Sequence, residues 1–77
     1  MFSQRIRQVM QGEELLIVTP ETTVFAAARQ MAERSVSAAV VVDGDRIVGI
    51  FTERDALFRV IARDRDPRST PVDKVMT

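Results

Sequence analysis

The residues best suited to chemistry lie in the segment Gly49-Ile50-Phe51-Thr52-Glu53-Arg54-Asp55. Its apolar first part predicts a strand, and Thr52 is a favourable residue for capping the helix that follows. A helix start offers unpaired backbone N–H groups and partial positive charge, both of which suit a phosphate. The Thr52 hydroxyl and the Arg54 guanidinium could bind the same anion. Asp55 could accept hydrogen bonds from the two hydroxyls of a ribose.

The same residues also fit a purely structural role. Thr52 at the cap position and Asp55 three residues later are nearly a capping box, in which each side chain bonds the backbone N–H of the other. An aspartate in the first turn is also favourable to the helix dipole without any ligand. Spacing alone therefore allows either a capped helix or an anion-and-diol site.

Composition excludes several classes of chemistry. The chain has 77 residues, enough for one small domain, and it contains no cysteine and no histidine. Disulfides, thiolate metal sites and a cysteine nucleophile are therefore excluded, and the commonest general base is missing. Asp43 and Asp45 form a carboxylate pair, but Gly44 between them indicates a turn rather than an acid–base dyad. We predict no enzyme, no metal site and no required cofactor.

Charge and hydropathy limit the partners. Eleven basic residues balance eleven acidic ones, so a net charge of zero gives no general attraction to nucleic acid or to an anionic membrane. Four phenylalanines are the only aromatic residues, which leaves little for base stacking. No apolar run approaches the roughly 20 residues of a membrane-spanning helix. We predict a cytoplasmic protein that binds neither nucleic acid nor membranes.

The elements around this segment are predicted in the order strand, helix, strand, strand, helix. Leu15 to Val18 reads as a short buried strand, which Pro20 ends. Thr22 or Thr23 can cap an amphipathic helix that begins near Val24. The first crossover should be right-handed and join parallel strands.

The second half of the chain is predicted as a hairpin followed by a helix. Strands at Ala38 to Val42 and Ile47 to Phe51 flank the turn residues Asp43-Gly44. Both strands are apolar on both faces, which predicts a sheet covered on both sides or buried by a partner. The helix after Thr52 should end before Pro67. Its predicted inner face consists of Ala56, Leu57, Val60 and Ile61.

A short pattern occurs twice. Val72-Asp73-Lys74-Val75-Met76 matches Ile6-Arg7-Gln8-Val9-Met10, and Gln4 to Met10 is predicted as a short N-terminal helix. Two unrelated amphipathic turns would give the same match by chance. We predict that residues 1–65 form one complete repeat, and that residues 66–77 form a solvated linker and the beginning of a truncated second repeat.

The ordered features resemble a known family. They are Val9-Met10, Val18-Thr19-Pro20, Thr23-Val24, Ala38 to Val42, Asp43-Gly44 and Gly49 to Asp55. From Ile6 to Ala62 the chain is similar to a cystathionine-β-synthase (CBS) domain. The resemblance implies a β-α-β-β-α fold of the α/β (α+β) class, with a three-stranded mixed sheet and two helices packed on one face. It also implies units that pair through their sheets into disc-like modules.

The resemblance further implies a function. Clefts between paired CBS units often bind AMP, ADP, ATP or S-adenosylmethionine, and the modules usually regulate an attached protein or act as sensors. Gly49, Thr52 and Asp55 match the family pattern of Gly, apolar, any, Thr or Ser, any, any, Asp, whereas Arg54 is a candidate through its charge alone. The leading hypothesis is thus a regulatory module for an adenosine nucleotide that forms a homodimer or higher oligomer through CBS–CBS packing. The alternative is an interaction module of the same fold, in which Thr52 and Asp55 only cap the helix.

Three further residues are ligand candidates through the resemblance. Thr19 could lie beside the adenine or phosphate, or it could simply end the strand before Pro20. Backbone groups near Ser37 and Ala38 could contact the adenine edge, or they could form an ordinary loop between helix and strand.

Overall fold

The computed structural model describes residues 15–77. Its elements are β1 (Ile17–Val18), α1 (Val24–Arg34), β2 (Ala38–Asp43), β3 (Arg46–Thr52) and α2 (Glu53–Asp55). A π-helical stretch, Ala56–Ile61, follows α2 directly, and we call the two together the second helix. A 3₁₀ turn, Val72–Lys74, comes last. The β-α-β-β-α order is confirmed, whereas the helix predicted for Gln4 to Met10 lies outside the described residues.

The three strands form one mixed sheet with β2 in the centre. β1 pairs with β2 in parallel, and β2 pairs with β3 as an antiparallel hairpin, as predicted. Gly44 has a φ of 67° at the first central position of the hairpin turn, a conformation that glycine adopts without the strain of a Cβ. The register shifts between Val41 and Val42, which leaves Val48 as the extra residue of a bulge.

Thr23 begins α1 as its cap. The Thr23 hydroxyl accepts a hydrogen bond from the backbone N–H of Ala26 at 3.1 Å. Val24, Ala27 and Met31 then repeat at helical spacing and are buried. The sequence pattern is therefore sufficient to explain both the start of α1 and the face that it turns toward the sheet.

Both helices pack on one face of the sheet. The buried core contains Leu16, Val18, Val24, Ala27, Met31, Ala39, Val41, Phe51, Val60, Val72 and Val75. On the opposite face Ile17, Val40 and Ile50 are neighbours in a row across the three strands. Ile17 is 42% exposed and Ile50 is 45% exposed. Within residues 15–77, therefore, only one face of the predicted two-sided apolar sheet is covered.

The prediction of which residues form the inner face of the second helix is wrong for two of the four. Val60 is fully buried and Ala56 is half-buried, but Leu57 is 54% exposed and Ile61 is 61% exposed. The backbone N–H of Ala62 donates to the Leu57 carbonyl at 2.9 Å, five residues back, as in a π-helix. A wider turn changes which side chains share a face, so the α-helical period does not describe this stretch.

Residues 66–77, which we call the tail, wrap over the start of α1. The N–H groups of Val24 and Phe25 donate to the carbonyls of Thr70 at 2.8 Å and Pro67 at 2.9 Å. The first N–H groups of a helix have no partner within that helix. The tail therefore completes the start of α1, although the sequence predicted this region as a linker.

The end of the tail enters the core and reaches β3. Val72 is fully buried and Val75 is 2% exposed. The backbones of Thr77 and Ile50 exchange two hydrogen bonds of 2.9 Å. The tail is thus packed against the repeat that precedes it. That residues 66–77 also open a second repeat stays a prediction.

Candidate functional site

Thr52 and Asp55 form a capping box at the junction of β3 and α2. The Thr52 hydroxyl accepts from the Asp55 N–H at 3.1 Å, and Asp55 Oδ2 accepts from the Thr52 N–H at 3.0 Å. The predicted cap is confirmed. Because both side chains are held by backbone, their orientation is set before any ligand arrives.

The backbone N–H groups at this helix start are largely occupied. Besides the two N–H groups of the capping box, the Glu53 N–H donates to the Ser37 carbonyl at 3.0 Å. The sequence reasoning expected such N–H groups to be open to a phosphate. With three of them paired inside the chain, a phosphate here would depend mainly on cationic side chains.

Asp55 is the most connected polar residue of the site. Its side chain is buried, with 4% of the residue exposed. While Oδ2 bonds the Thr52 backbone, Oδ1 accepts from the Thr77 hydroxyl at 3.0 Å and lies 3.6 Å from Nε of Arg59. Burial of a carboxylate is costly unless it is paired and hydrogen-bonded, and these contacts provide that compensation.

A pocket of about 520 Å³ surrounds this carboxylate. Its lining residues are Ile50, Thr52, Arg54, Asp55, Phe58, Arg59 and Thr77. We call it the Asp55 pocket. Two arginines, two hydroxyls and one carboxylate face a wall made by Ile50 and Phe58. The volume and the mixture of an apolar wall with a few polar groups are typical of small-molecule sites.

The apolar wall carries one of the arginines. The Arg54 guanidinium lies 5.3 Å from the centre of the Phe58 ring, a cation–π distance. Phe58 is itself 54% exposed. A planar ligand or a second protein unit could therefore reach this ring.

The structure separates the predicted site residues into three groups. Thr52, Arg54 and Asp55 meet in the Asp55 pocket. Ala38 is the cross-strand partner of Thr52, and the Ser37 carbonyl holds the Glu53 N–H, so both lie beside the pocket without lining it.

Thr19 lies at the other end of the sheet. It follows Val18, which pairs with Val41, whereas Thr52 pairs with Ala38. At about 3.3 Å per residue these positions are on the order of 10 Å apart along β2. The Thr19 hydroxyl lies 3.0 Å from the Thr22 hydroxyl, in a local turn. In this chain Thr19 is therefore not brought to the Asp55 pocket.

Four residues that line the Asp55 pocket were not predicted as site residues from the sequence. Arg59 lies four residues after Asp55, and Phe58 four after Arg54, so helical spacing could have indicated both. Thr77 carries no such signal, since its contact with Asp55 spans 22 residues. Ile50, the fourth, was noted only as part of a strand.

The close approach of the tail to β3 explains why position 49 is a glycine. A Cβ added there would lie 2.6 Å from Sδ of Met76 and 3.0 Å from the Thr77 carbonyl oxygen. The tail therefore needs a residue without a side chain at this position. The glycine of the segment acts by letting Thr77 reach the pocket.

Residues 15–77 offer neither a cluster of metal ligands nor a membrane-spanning helix. Among these residues, no three histidine, cysteine or acidic side chains come together as metal ligands. No helix of this part is long and apolar enough to cross a membrane.

Comparisons with known proteins agree with the fold. The sequence profile of the CBS domain matches residues 6–62. A CBS domain-containing protein of Arabidopsis thaliana is 44% identical over 64 residues, which are 83% of this chain but 12% of that protein. This chain therefore spans only a small part of that relative.

Solved structures give the same result. A putative signal-transduction protein with CBS domains from Burkholderia ambifaria superposes with a TM-score of 0.81 at 35% identity, covering 94% of this chain and 57% of that one. A hexameric CBS-CP12 protein from bloom-forming cyanobacteria gives 0.79 at 25% identity, covering 91% and 40%. CBS domains are usually regulatory rather than catalytic, and often act in signal transduction. With the profile match over most of its length and the same three-stranded fold, this chain belongs to the CBS domain family.

Proposed function

We propose that this chain is a regulatory module that binds an adenosine-containing nucleotide, namely AMP, ADP, ATP or S-adenosylmethionine, in the Asp55 pocket. The observation that carries the proposal is the meeting of a buried carboxylate, two hydroxyls and two arginines beside an apolar wall. Such a set can bind a diol, an anion and a flat base in one place. The cytoplasmic location expected from the sequence stays a prediction.

Asp55 is the residue proposed to hold the ribose. Its Oδ1 accepts from the Thr77 hydroxyl and faces Arg59. A ribose hydroxyl can take the place of the Thr77 hydroxyl as donor, and Thr77 can then turn to the ligand, because a hydroxyl both donates and accepts. The ligand would thereby loosen a contact that ties the tail to the second helix. This exchange is a physical route from binding to a change in packing.

The proposal is tested by calorimetric titration with each of the four ligands. Asp55→Asn keeps the side-chain shape but removes the charge, and we expect it to weaken binding about tenfold or more, the scale of one charge-assisted hydrogen bond. Asp45→Asn, an exposed change in the hairpin turn, is the matched control and should bind normally. Absence of binding by the unmodified chain to all four ligands at millimolar concentration would reject the proposal.

A second candidate function is supported by exposed apolar side chains. Leu57, Phe58 and Ile61 of the second helix are 54%, 54% and 61% exposed, and Ile47, Val48 and Ile50 of β3 are 48%, 42% and 45% exposed. Large exposed apolar surface of this kind marks interaction sites. We propose that this surface pairs the chain with another CBS unit as a homodimer or higher oligomer, with or without nucleotide.

Sedimentation tests the pairing. Leu57→Asp combined with Ile61→Asp should shift the chain toward monomer, because both side chains leave water only on association. Ala32→Asp, an exposed site on α1, is the control and should not change the sedimentation coefficient. If the unmodified chain sediments as a monomer at tens of micromolar, the pairing proposal is wrong.

A further inference from the structure

Four cations meet in a second cleft beside the Asp55 pocket. Arg59, Arg63, Arg65 and Lys74 line about 320 Å³ over Val75, and we call this the cationic cleft. Val75 is 2% exposed and forms an apolar floor. Arg59 lines both cavities, so the cationic cleft lies next to the Asp55 pocket.

The fold brings these cations together from three segments. Arg59 belongs to the second helix and Arg63 lies four residues later, two residues beyond its end. Asp64 then takes a left-handed conformation, with φ of 58°, and the Arg65 N–H donates to the Val60 carbonyl at 2.9 Å. This bond folds the chain back against the helix. Lys74 comes from the 3₁₀ turn, held in place by the buried Val72 and Val75.

The positive charge of the cleft is poorly compensated within the chain. Arg59 faces Asp55, but Arg63, Arg65 and Lys74 form no ion pair or side-chain hydrogen bond with any of residues 15–77. The aspartates closest in sequence are Asp64, Asp66 and Asp73, and none of them lines the cleft. Bringing like charges together is unfavourable unless an anion offsets it. The net charge of the whole chain is zero, so this field is local.

We propose that the cationic cleft binds a linear polyphosphate group of two or more phosphates. Arginine and lysine are the usual phosphate ligands, and several phosphates in a row match four cations spread along a cleft better than one phosphate does. The shared arginine would join this group to a nucleoside in the Asp55 pocket. In that form the inference rests on the proposed nucleotide site and selects ADP or ATP over AMP and S-adenosylmethionine. Free inorganic polyphosphate is the other source of the same chemistry.

The test compares AMP, ATP and inorganic tripolyphosphate by calorimetry at fixed ionic strength in metal-free buffer. We expect ATP to bind at least about tenfold more tightly than AMP, which is the scale of one added charge-assisted contact. Arg63→Gln with Arg65→Gln should remove this preference and weaken tripolyphosphate binding similarly, with AMP unchanged. Both side chains are exposed, and an unchanged unfolding midpoint in urea would show that the variant is folded.

The control carries the same loss of charge elsewhere. Arg29→Gln with Arg46→Gln changes two exposed arginines of α1 and β3, outside both cavities, and should leave all three affinities unchanged. If AMP and ATP bind with equal affinity and tripolyphosphate does not bind, the proposal of a polyphosphate site in the cationic cleft is wrong, while the nucleotide proposal stands. An equal loss of tripolyphosphate affinity in both double variants would also contradict the proposal, because it would show a non-specific attraction between the anion and any arginine. If only tripolyphosphate binds, and only the Arg63 and Arg65 changes weaken it, the polyphosphate site in the cationic cleft is supported and the nucleotide proposal fails.

Discussion

The Thr77 hydroxyl donates a hydrogen bond to Oδ1 of the buried Asp55, 3.0 Å away and across 22 residues of sequence. One contact thus joins the tail to the helix start at the candidate site. The same carboxylate also caps that helix and faces Arg59. The stability of the tail and the polarity of the pocket are therefore coupled through Asp55.

Thr77→Val should lower the free energy of unfolding by about 1 kcal/mol, because it removes a donor from a buried carboxylate without changing the side-chain shape much. Urea denaturation measures the change. Thr77→Ser keeps the hydroxyl and should recover most of it. Equal stability of the valine and serine variants would contradict this assignment of the hydrogen bond.

Thr52→Val should lower the free energy of unfolding by about 1 kcal/mol, because the helix loses its cap. The hydroxyl that accepts from the Asp55 N–H disappears, while the bulk of the side chain stays. Thr52→Ser preserves the cap and serves as the control in thermal and urea unfolding. A valine variant as stable as the serine variant would show that the capping box contributes little here.

Gly49→Ala should destabilise the chain by about 1–3 kcal/mol, the range for overpacking a filled site. The new methyl group would meet Met76 Sδ and the Thr77 carbonyl oxygen. Without the tail, alanine in a strand would be neutral or stabilising. The check is a double-mutant cycle with Met76→Ala. In that background we expect Gly49→Ala to lower the free energy of unfolding by less, because the sulfur atom is gone. An unchanged free-energy cost of Gly49→Ala in the Met76→Ala background would show that the Met76 side chain does not cause the clash.

Val72→Ala should reduce stability by about 2 kcal/mol, from two lost methyl groups and the cavity that they leave. Val72 is fully buried in the shared core, although it lies in the tail. Asp73→Ala, an exposed neighbour, is the control and should be close to neutral. If Val72 did not pack against the preceding repeat, Val72→Ala would also be neutral in chemical denaturation.

The local parts of the fold were predictable because their causes lie within a few residues of sequence. The Thr23 and Thr52 caps, the Gly44 turn and the amphipathic face of α1 each follow from side-chain chemistry at short spacing. The same short spacing indicated that Thr52, Arg54 and Asp55 belong together. The family resemblance, carried by the order of these local features, is confirmed.

The second helix shows where local pattern is insufficient. Apolar residues at Leu57 and Ile61 predicted a buried face, but the π-helical stretch leaves both exposed. A π-helical turn closes its hydrogen bond over one more residue than an α-helical turn does, and the spacing of the apolar residues does not indicate which of the two forms. The part of the apolar pairing surface that the second helix contributes follows from this widening.

The sequence by itself determined the order of the elements, their caps and turn, and the three residues at the centre of the candidate site. Only the tertiary structure decided that the tail enters the core, that Thr77 meets Asp55, and that Arg59, Arg63, Arg65 and Lys74 share a cleft. The physical reason is the range of the interactions. Caps and turns are satisfied within four residues, whereas burial of the tail, the Thr77 contact with Asp55 and the approach of Lys74 to the arginines depend on packing between separate segments.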